Sequence, residues 1–408
     1  RILKLSLWCY LFMLLGYFMY FTALIRSNAN PGIDMNNVDN PISLVYYLSR
    51  EQYGSAPLIY GPHFAADPSK DLVQDEPFVE SEMKYIKGKD SYIPIGRTRD
   101  YNYNSDVKQL FPRVWDSSDD QYHAQFYSEW LGLGQDPQSG AYEAPSYGDN
   151  INWFFSYQMS LMYWRYFMWN FAGKQNDIQG LGNKRDGNWI SGIAPLDNAR
   201  LGDQSRLPQS IQQNAAKNQF YFLPFLLGII GCVFQYLRNR KDWIVSFLLF
   251  FFTGIAVVLY LNQPGNQPRE RDYAYVGSFF AFAIWIGLAV VAFAIMAQEK
   301  IEKMTSRDFL IYTGSLAFLV TFMSCFPGNG DGAMINAVAA GLMGVGLAAG
   351  LPLLLKQFSK GNGGSSTIAW FAVVLCALVP TWMSVQNWDD HDRSNKITAP
   401  DMARDYLE

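Results

Sequence analysis

The sequence predicts an α-helical polytopic membrane protein of about seven transmembrane helices, with a large irregular extramembrane insert and an interfacial amphipathic helix. Three observations predict it. Several runs of about 20 apolar residues, each long enough to cross a hydrocarbon core, alternate with one long polar stretch. Aromatic residues make up 16% of the chain, as expected where many side chains sit at membrane–water boundaries. Lys and Arg gather beside the apolar runs in a way that assigns one side of the membrane. The formal charge of −4 is too small to imply a nucleic-acid partner.

Leu5–Ile25 is the first span, within an element covering residues 1–26. It is too long for a signal-peptide core and is therefore an anchor, and Pro31 and Gly32 forbid its continuation. Arg1 stands where Met would open a full chain, so an excerpt of a longer protein is expected. Residues 27–150 form the extracytoplasmic insert. From Asp67 to Asp149 it carries sixteen Asp/Glu against eight Lys/Arg, a net −8, and it is rich in Tyr, Gly and Pro without a long periodic run. That composition predicts turns and short elements, and its aromatic content argues against disorder.

Residues 151–173, INWFFSYQMSLMYWRYFMWNFAG, would just span a bilayer. Trp153, Tyr157, Leu161, Trp164, Met168 and Phe171 line one apolar face, while Arg165 sits in the middle. A centred Arg among so many Trp and Tyr predicts a helix lying in the interface. Residues 174–218 then form an outer loop. Six further spans, expected near Phe220–Leu237, Trp243–Leu261, Tyr273–Ala297, Phe309–Phe326, Ala333–Leu355 and Thr367–Val385, make a bundle over 219–385. Gly346 and Gly350, four apart, are a packing signal in the fifth of these. Residues 386–408 turn polar and read as the start of a further outer region. Cys9, Cys232, Cys325 and Cys376 all fall in apolar runs with no CxxC spacing, which suits reduced packing residues.

Topology follows from charge. Arg1 and Lys4; Arg238, Arg240 and Lys241; Lys300, Lys303 and Arg307; and Lys356 and Lys360 share one side if residues 151–173 do not cross. That side is cytoplasmic by the positive-inside rule. The insert, the turn around Arg269 and the C-terminal region are then outside.

The charged turn Arg269–Glu270–Arg271–Asp272, between two membrane-length runs, is the leading candidate site. Arg269 and Arg271 offer planar forks suited to a phosphate or pyrophosphate, and Glu270 and Asp272 can orient them or hold a divalent ion. The bland reading is four charges that solvate a tight loop and pair with each other. In SREQYG, Arg50 and Glu51 can pair, and Tyr60 can stack on a sugar or pack a corner of the insert. Weaker candidates are Asp34, as a base or a turn cap, Arg165, and the tail residues Asp390, His391 and Arg393. The last three have metal-compatible neighbours but only one His and no second anchor, so no metal site is assigned. Asp116–Asp120 lacks the spacing of a calcium loop, and His63 and His123 stand isolated. No phosphate-binding Gly loop, G-x-S-x-G or H-E-x-x-H is present.

Six stretches together carry a resemblance: GYFMYFTALIRSNANPGIDMNN (16–37), LSREQYGSAPLIYG (48–61), YWRYFMWNFAGKQND (163–177), GNWISGI (187–193), YLNQPGNQPRERDYAYVGSFFAF (260–282) and NWDDHDRS (387–394). The chain resembles the bacterial branch of the DUF2723 family. That family is similar to the vertebrate transmembrane protein O-mannosyltransferase acting on immunoglobulin-like domains of plexins and related receptors. The resemblance implies a GT-C-like membrane glycosyltransferase that moves a sugar, mannose among the candidates, from a polyprenyl-phosphate donor to Ser or Thr of an exported protein. It also implies a base in an N-terminal multi-span half preceding this stretch, so no catalytic residue is assigned here and Asp34 does not inherit the role. The implied donor is a substrate, and no cofactor is called for. The competing expectation is a non-catalytic membrane scaffold or export-system subunit whose insert binds partner proteins.

Overall fold

The apolar runs become helices because a helix satisfies its own backbone N–H and C=O groups where no water can. The computed structural model describes residues 2–51, 56–118, 122–298, 307–325, 330–359, 365–392, 394 and 398–407. It divides into two compact units, Arg1–Trp115 and Asp116–Glu408. The described residues of 116–150, the last part of the expected insert, group with the helical unit.

In the first unit, α1 (Ile2–Phe18) and α2 (Phe21–Asn28) are joined by a short turn and form one apolar candidate span, in which α1 has no buried residue and α2 only Ser27. α3 (Pro41–Leu48) begins where Pro41 presets the first turn and Asn40 accepts from the amides of Ile42 and Ser43. β1 (Tyr60–Pro62) pairs antiparallel with the later β4 (Lys108–Leu110). Between them, β2 (Phe78–Lys87) and β3 (Tyr92–Tyr101) make a long hairpin with Phe78 opposite Tyr101 and Lys87 opposite Tyr92. Both strands are largely exposed.

The second unit is built around one helical segment. After α4 (His123–Leu131), Ser146 and Asp149 cap each other's backbone and start α5 (Tyr147–Trp153). The chain runs on through a π-helical stretch, Phe154–Trp164, into α6 (Arg165–Phe171). Every residue from Ser156 to Trp169 is buried. The expected interfacial amphipathic helix is therefore corrected to an internal one. Its buried polar residues Gln158 and Arg165 find protein partners.

Beyond it, β5 (Gly173–Lys174) pairs with the later β6 (Asn218–Gln219), and α7 (Ala194–Leu201) and the single turn α8 (Gln209–Gln212) lie between them in sequence. The bundle follows: α9 (Leu223–Arg238), α10 (Arg240–Phe252), α11 (Ile255–Leu261), α12 (Val276–Gln298), α13 (Arg307–Ser324), α14 (Gly330–Ser359) and α15 (Ser365–His391), with α16 (Thr398–Leu407) after it. α9 lies against α12 at Gly228 and Gly231, where a Cβ would run into the Phe282 ring and the Trp285 carbonyl. α13 meets α14 at Gly314 and Gly341. Gly346 and Gly350, the expected packing pair, have nothing within 4 Å of a would-be Cβ; the close approach falls instead at Gly341, five and nine residues earlier.

Among the described residues, five helices are long and apolar enough to cross a membrane: Ile2–Asn28, Arg240–Leu261, Asp272–Gln298, Gly332–Gln357 and Ser366–His391. Two of the seven expected spans fall short of that standard. Leu223–Arg238 has only 16 residues, about 24 Å against a hydrocarbon core of about 30 Å. Arg307–Ser324 begins with two charges, Arg307 and Asp308, that dilute its hydropathy.

Candidate functional site

The charged turn folds onto the buried helix. Arg165 enters from the start of α6, its Nε donating to the Leu161 carbonyl one turn back at 2.9 Å. Nη1 donates to the Gly187 carbonyl at 2.8 Å and to Glu270 Oε1 at 3.0 Å, while Nη2 donates to Glu270 Oε2 at 2.7 Å. The fork-to-fork pair is thus closed on both oxygens. Glu270 Oε1 also accepts the Gly180 amide at 2.8 Å, and Oε2 accepts the Tyr166 hydroxyl. That hydroxyl in turn accepts the Arg271 amide at 3.2 Å. The guanidinium lies over the rings of Tyr166 and Trp169, at 4.6 and 4.8 Å from their centroids.

Burial pushes the Glu270 carboxyl up, but the Arg165 charge, the Tyr166 hydroxyl and the Gly180 amide outweigh it and hold the group below the ordinary glutamate range. Two glycines make room. A Cβ at Gly180 would sit 2.6 Å from Arg165 Nη1, and one at Gly187 would sit 2.6 Å from the Ile178 carbonyl at a φ of +59°. A second set of bonds secures the approach to the turn: Gln158 Nε2 donates to Asn262 Oδ1 at 3.0 Å and to the Gln263 carbonyl at 2.9 Å, and Gln179 donates to the Gln267 carbonyl. Three of the stretches singled out in sequence, 163–177, 187–193 and 260–282, therefore converge in one buried network.

This sorts the predicted residues. Glu270, expected to orient the arginines of the turn or to hold a divalent ion, is instead a structural anchor, since both its oxygens accept from the protein. The four charges of the turn do not simply pair with each other either, because the partner of Glu270 comes from 105 residues away. Arg269 is exposed, its Nη2 donating to the Tyr273 hydroxyl at 3.3 Å. Arg271 is half-buried, and its Nε is buried with no hydrogen-bond partner. Asp272 opens the turn into α12.

Arg50, Glu51 and Tyr60 belong to the first unit. Glu51 pairs with Lys84 at 2.6 Å, which replaces the expected pairing with Arg50. Arg50 takes a left-handed φ of +57°, and Tyr60 is exposed on β1. Asp34 is a turn cap: it accepts from Ser27 Oγ at 2.5 Å and from the Asn37 amide at 3.1 Å. His391 Nδ1 lies 3.1 Å from the Asn387 carbonyl and 3.8 Å from Asp390, which ends α15 without building a site; Arg393 lies outside the described residues. Among the described residues no group of three His, Cys, Asp or Glu is placed to hold a metal ion. His123 is not isolated as expected, since Asp116 Oδ2 stands 2.9 Å from its Nδ1. Sequence reasoning missed Tyr166, Gly180 and Gly187, because their roles depend on a partner far along the chain.

Fold and site together define an α-helical membrane protein whose charged inter-helix turn is clamped to a buried helix. A family model described as a family of unknown function, DUF8416, matches residues 54–155. No curated protein and no solved structure matches the chain.

Proposed function

We propose that this protein is a GT-C-like membrane glycosyltransferase of the bacterial inner membrane, in line with its resemblance to the DUF2723 family. In this reading it transfers a sugar, mannose among the candidates, from a polyprenyl-phosphate donor to Ser or Thr of exported proteins. The N-terminal end of the chain is cytoplasmic, and the turn and insert face the periplasm. The turn binds and orients the donor phosphate through Arg269 and Arg271 and does not supply the base. One observation carries this. Glu270 is fully engaged by Arg165, Tyr166 and Gly180, which makes the turn rigid and leaves Arg269 exposed and Arg271 with a partnerless buried Nε. A preorganised pair of guanidinium groups suits a phosphate better than a flexible one.

The test is transfer from polyprenyl-phosphate-mannose to a Ser/Thr-bearing domain by the purified protein. Arg269→Ala and Arg271→Ala are each expected to lower turnover while the melting temperature holds. Transfer that both variants leave untouched would remove the role given to the turn.

A second reading, a non-catalytic scaffold, is favoured by the β2–β3 hairpin. Phe78, Val79, Ile86, Ile93, Ile95 and Tyr101 on it are all substantially exposed. No transfer to any acceptor, together with stable co-purification of a partner through that hairpin, would select it.

A further inference from the structure

Away from the charged turn, a polar cavity and an apolar groove share a wall. The cavity, about 280 Å³, is lined by Asp197, Asn198, Asp203, Gln204, Lys217 and Gln219 among others. The groove, about 490 Å³, runs between α9, α14 and α15 and is lined by Leu223, Leu227, Leu347, Leu351, Val379 and Trp382 among others. They meet at Gln219. Its side chain lines the cavity, while its carbonyl accepts the Trp382 indole N–H from the groove at 2.8 Å. Two of the three helices that form the groove, α14 and α15, are long and apolar enough to cross a membrane, so the groove lies between candidate spans.

The charges of the cavity are unevenly committed. Asp197 accepts from the Ser191 amide and hydroxyl at 2.8 and 2.9 Å and from the Gly192 amide at 2.8 Å. Burial pushes its carboxyl above the ordinary aspartate range. Asp203 accepts from Ser205 and pairs with Arg206 at 3.1 Å. Lys217 is half-buried on the same wall and has no ion pair among the described residues. A lysine ammonium is a compact donor that serves phosphate well as a point charge.

We propose that groove and cavity together hold one bilayer phospholipid with an anionic headgroup, its acyl chain along α14 and α15 and its phosphate on Lys217. The site is distinct from the charged turn and needs no sugar transfer, so it stands or falls independently of that reading. An apolar groove beside membrane spans is filled by hydrocarbon in any bilayer. The cation in the adjoining cavity then favours anionic headgroups, because the cationic end of a zwitterionic one offsets part of the attraction between ammonium and phosphate.

The experiment is native mass spectrometry of the purified full chain released from micelles containing equal phosphatidylglycerol and phosphatidylcholine. Wild type is expected to retain one phosphatidylglycerol, favoured about tenfold over phosphatidylcholine. Lys217→Met is expected to abolish the preference, and Lys217→Glu to reverse it. Leu351→Trp, which fills the groove, is expected to reduce retention of both lipids. Lys184→Glu, an exposed charge change elsewhere in the same unit, is expected to leave retention unchanged. Equal retention of the two lipids by wild type, or an unchanged preference in Lys217→Met, would overturn the proposal.

Discussion

Arg165→Ala tests the clamp most directly. The substitution removes a guanidinium that donates to Leu161, Gly187 and both oxygens of Glu270. The Arg165 side chain is 4% exposed and that of Glu270 21%, so the carboxylate left behind is poorly solvated and keeps only Tyr166 and Gly180. Breaking such a buried pair from one side costs about 3–5 kcal/mol. At about 1.2 °C per kcal/mol, from about 2.1 cal/mol/K of unfolding entropy per residue over 408 residues, the melting temperature is expected to fall by roughly 3–6 °C. The assay is a thermal melt in detergent followed by tryptophan fluorescence, to which Trp169, under the guanidinium, contributes. Arg165→Met combined with Glu270→Gln removes both charges and keeps their bulk, so it is expected to recover part of the loss. A single variant that melts within about 2 °C of wild type would refute the clamp. A double variant that merely sums two independent losses would refute the attribution to an uncompensated charge.

Three further outcomes follow from the same geometry. The folded-state pKa of Glu270 is depressed below the ordinary glutamate range, so its contribution is complete above that range and is lost as pH falls through the folded pKa; melts from pH 7 downwards should show wild type losing stability faster than Glu270→Gln. Gly187→Ala, at a φ of +59° and against the Ile178 carbonyl, should lower the melting temperature and loosen hydrogen exchange in residues 176–190, whereas Gly346→Ala, with open space around it, should do neither. Gly231→Ala presses a methyl against the Trp285 carbonyl and is expected to cost about 1–3 kcal/mol, measured as a shift in the same melt.

The helical class of this protein was legible from one residue to the next. Apolar runs the length of a bilayer, Pro31 and Gly32 after the first of them, and the aromatic content all report on local chain and solvent, and local signals survive folding. The importance of Arg269–Asp272 was also legible, because four charges between two apolar runs require an explanation whatever the fold. Which of the four is structural was not. The bond between Arg165 and Glu270 joins residues 105 positions apart, and no periodicity or spacing encodes such a distance. For the same reason the amphipathic pattern of 151–173 pointed outwards: a helix with polar residues among apolar ones looks interfacial until another segment arrives to satisfy them. Gln158 and Arg165 are satisfied by Asn262, Gln263 and Glu270. The sequence by itself determined that this chain is made of apolar helices and that a charged turn separates two of them. Only the tertiary structure decided that the turn is held from beneath by a buried arginine, because desolvated charges must find partners and the partner lay in a distant part of the chain.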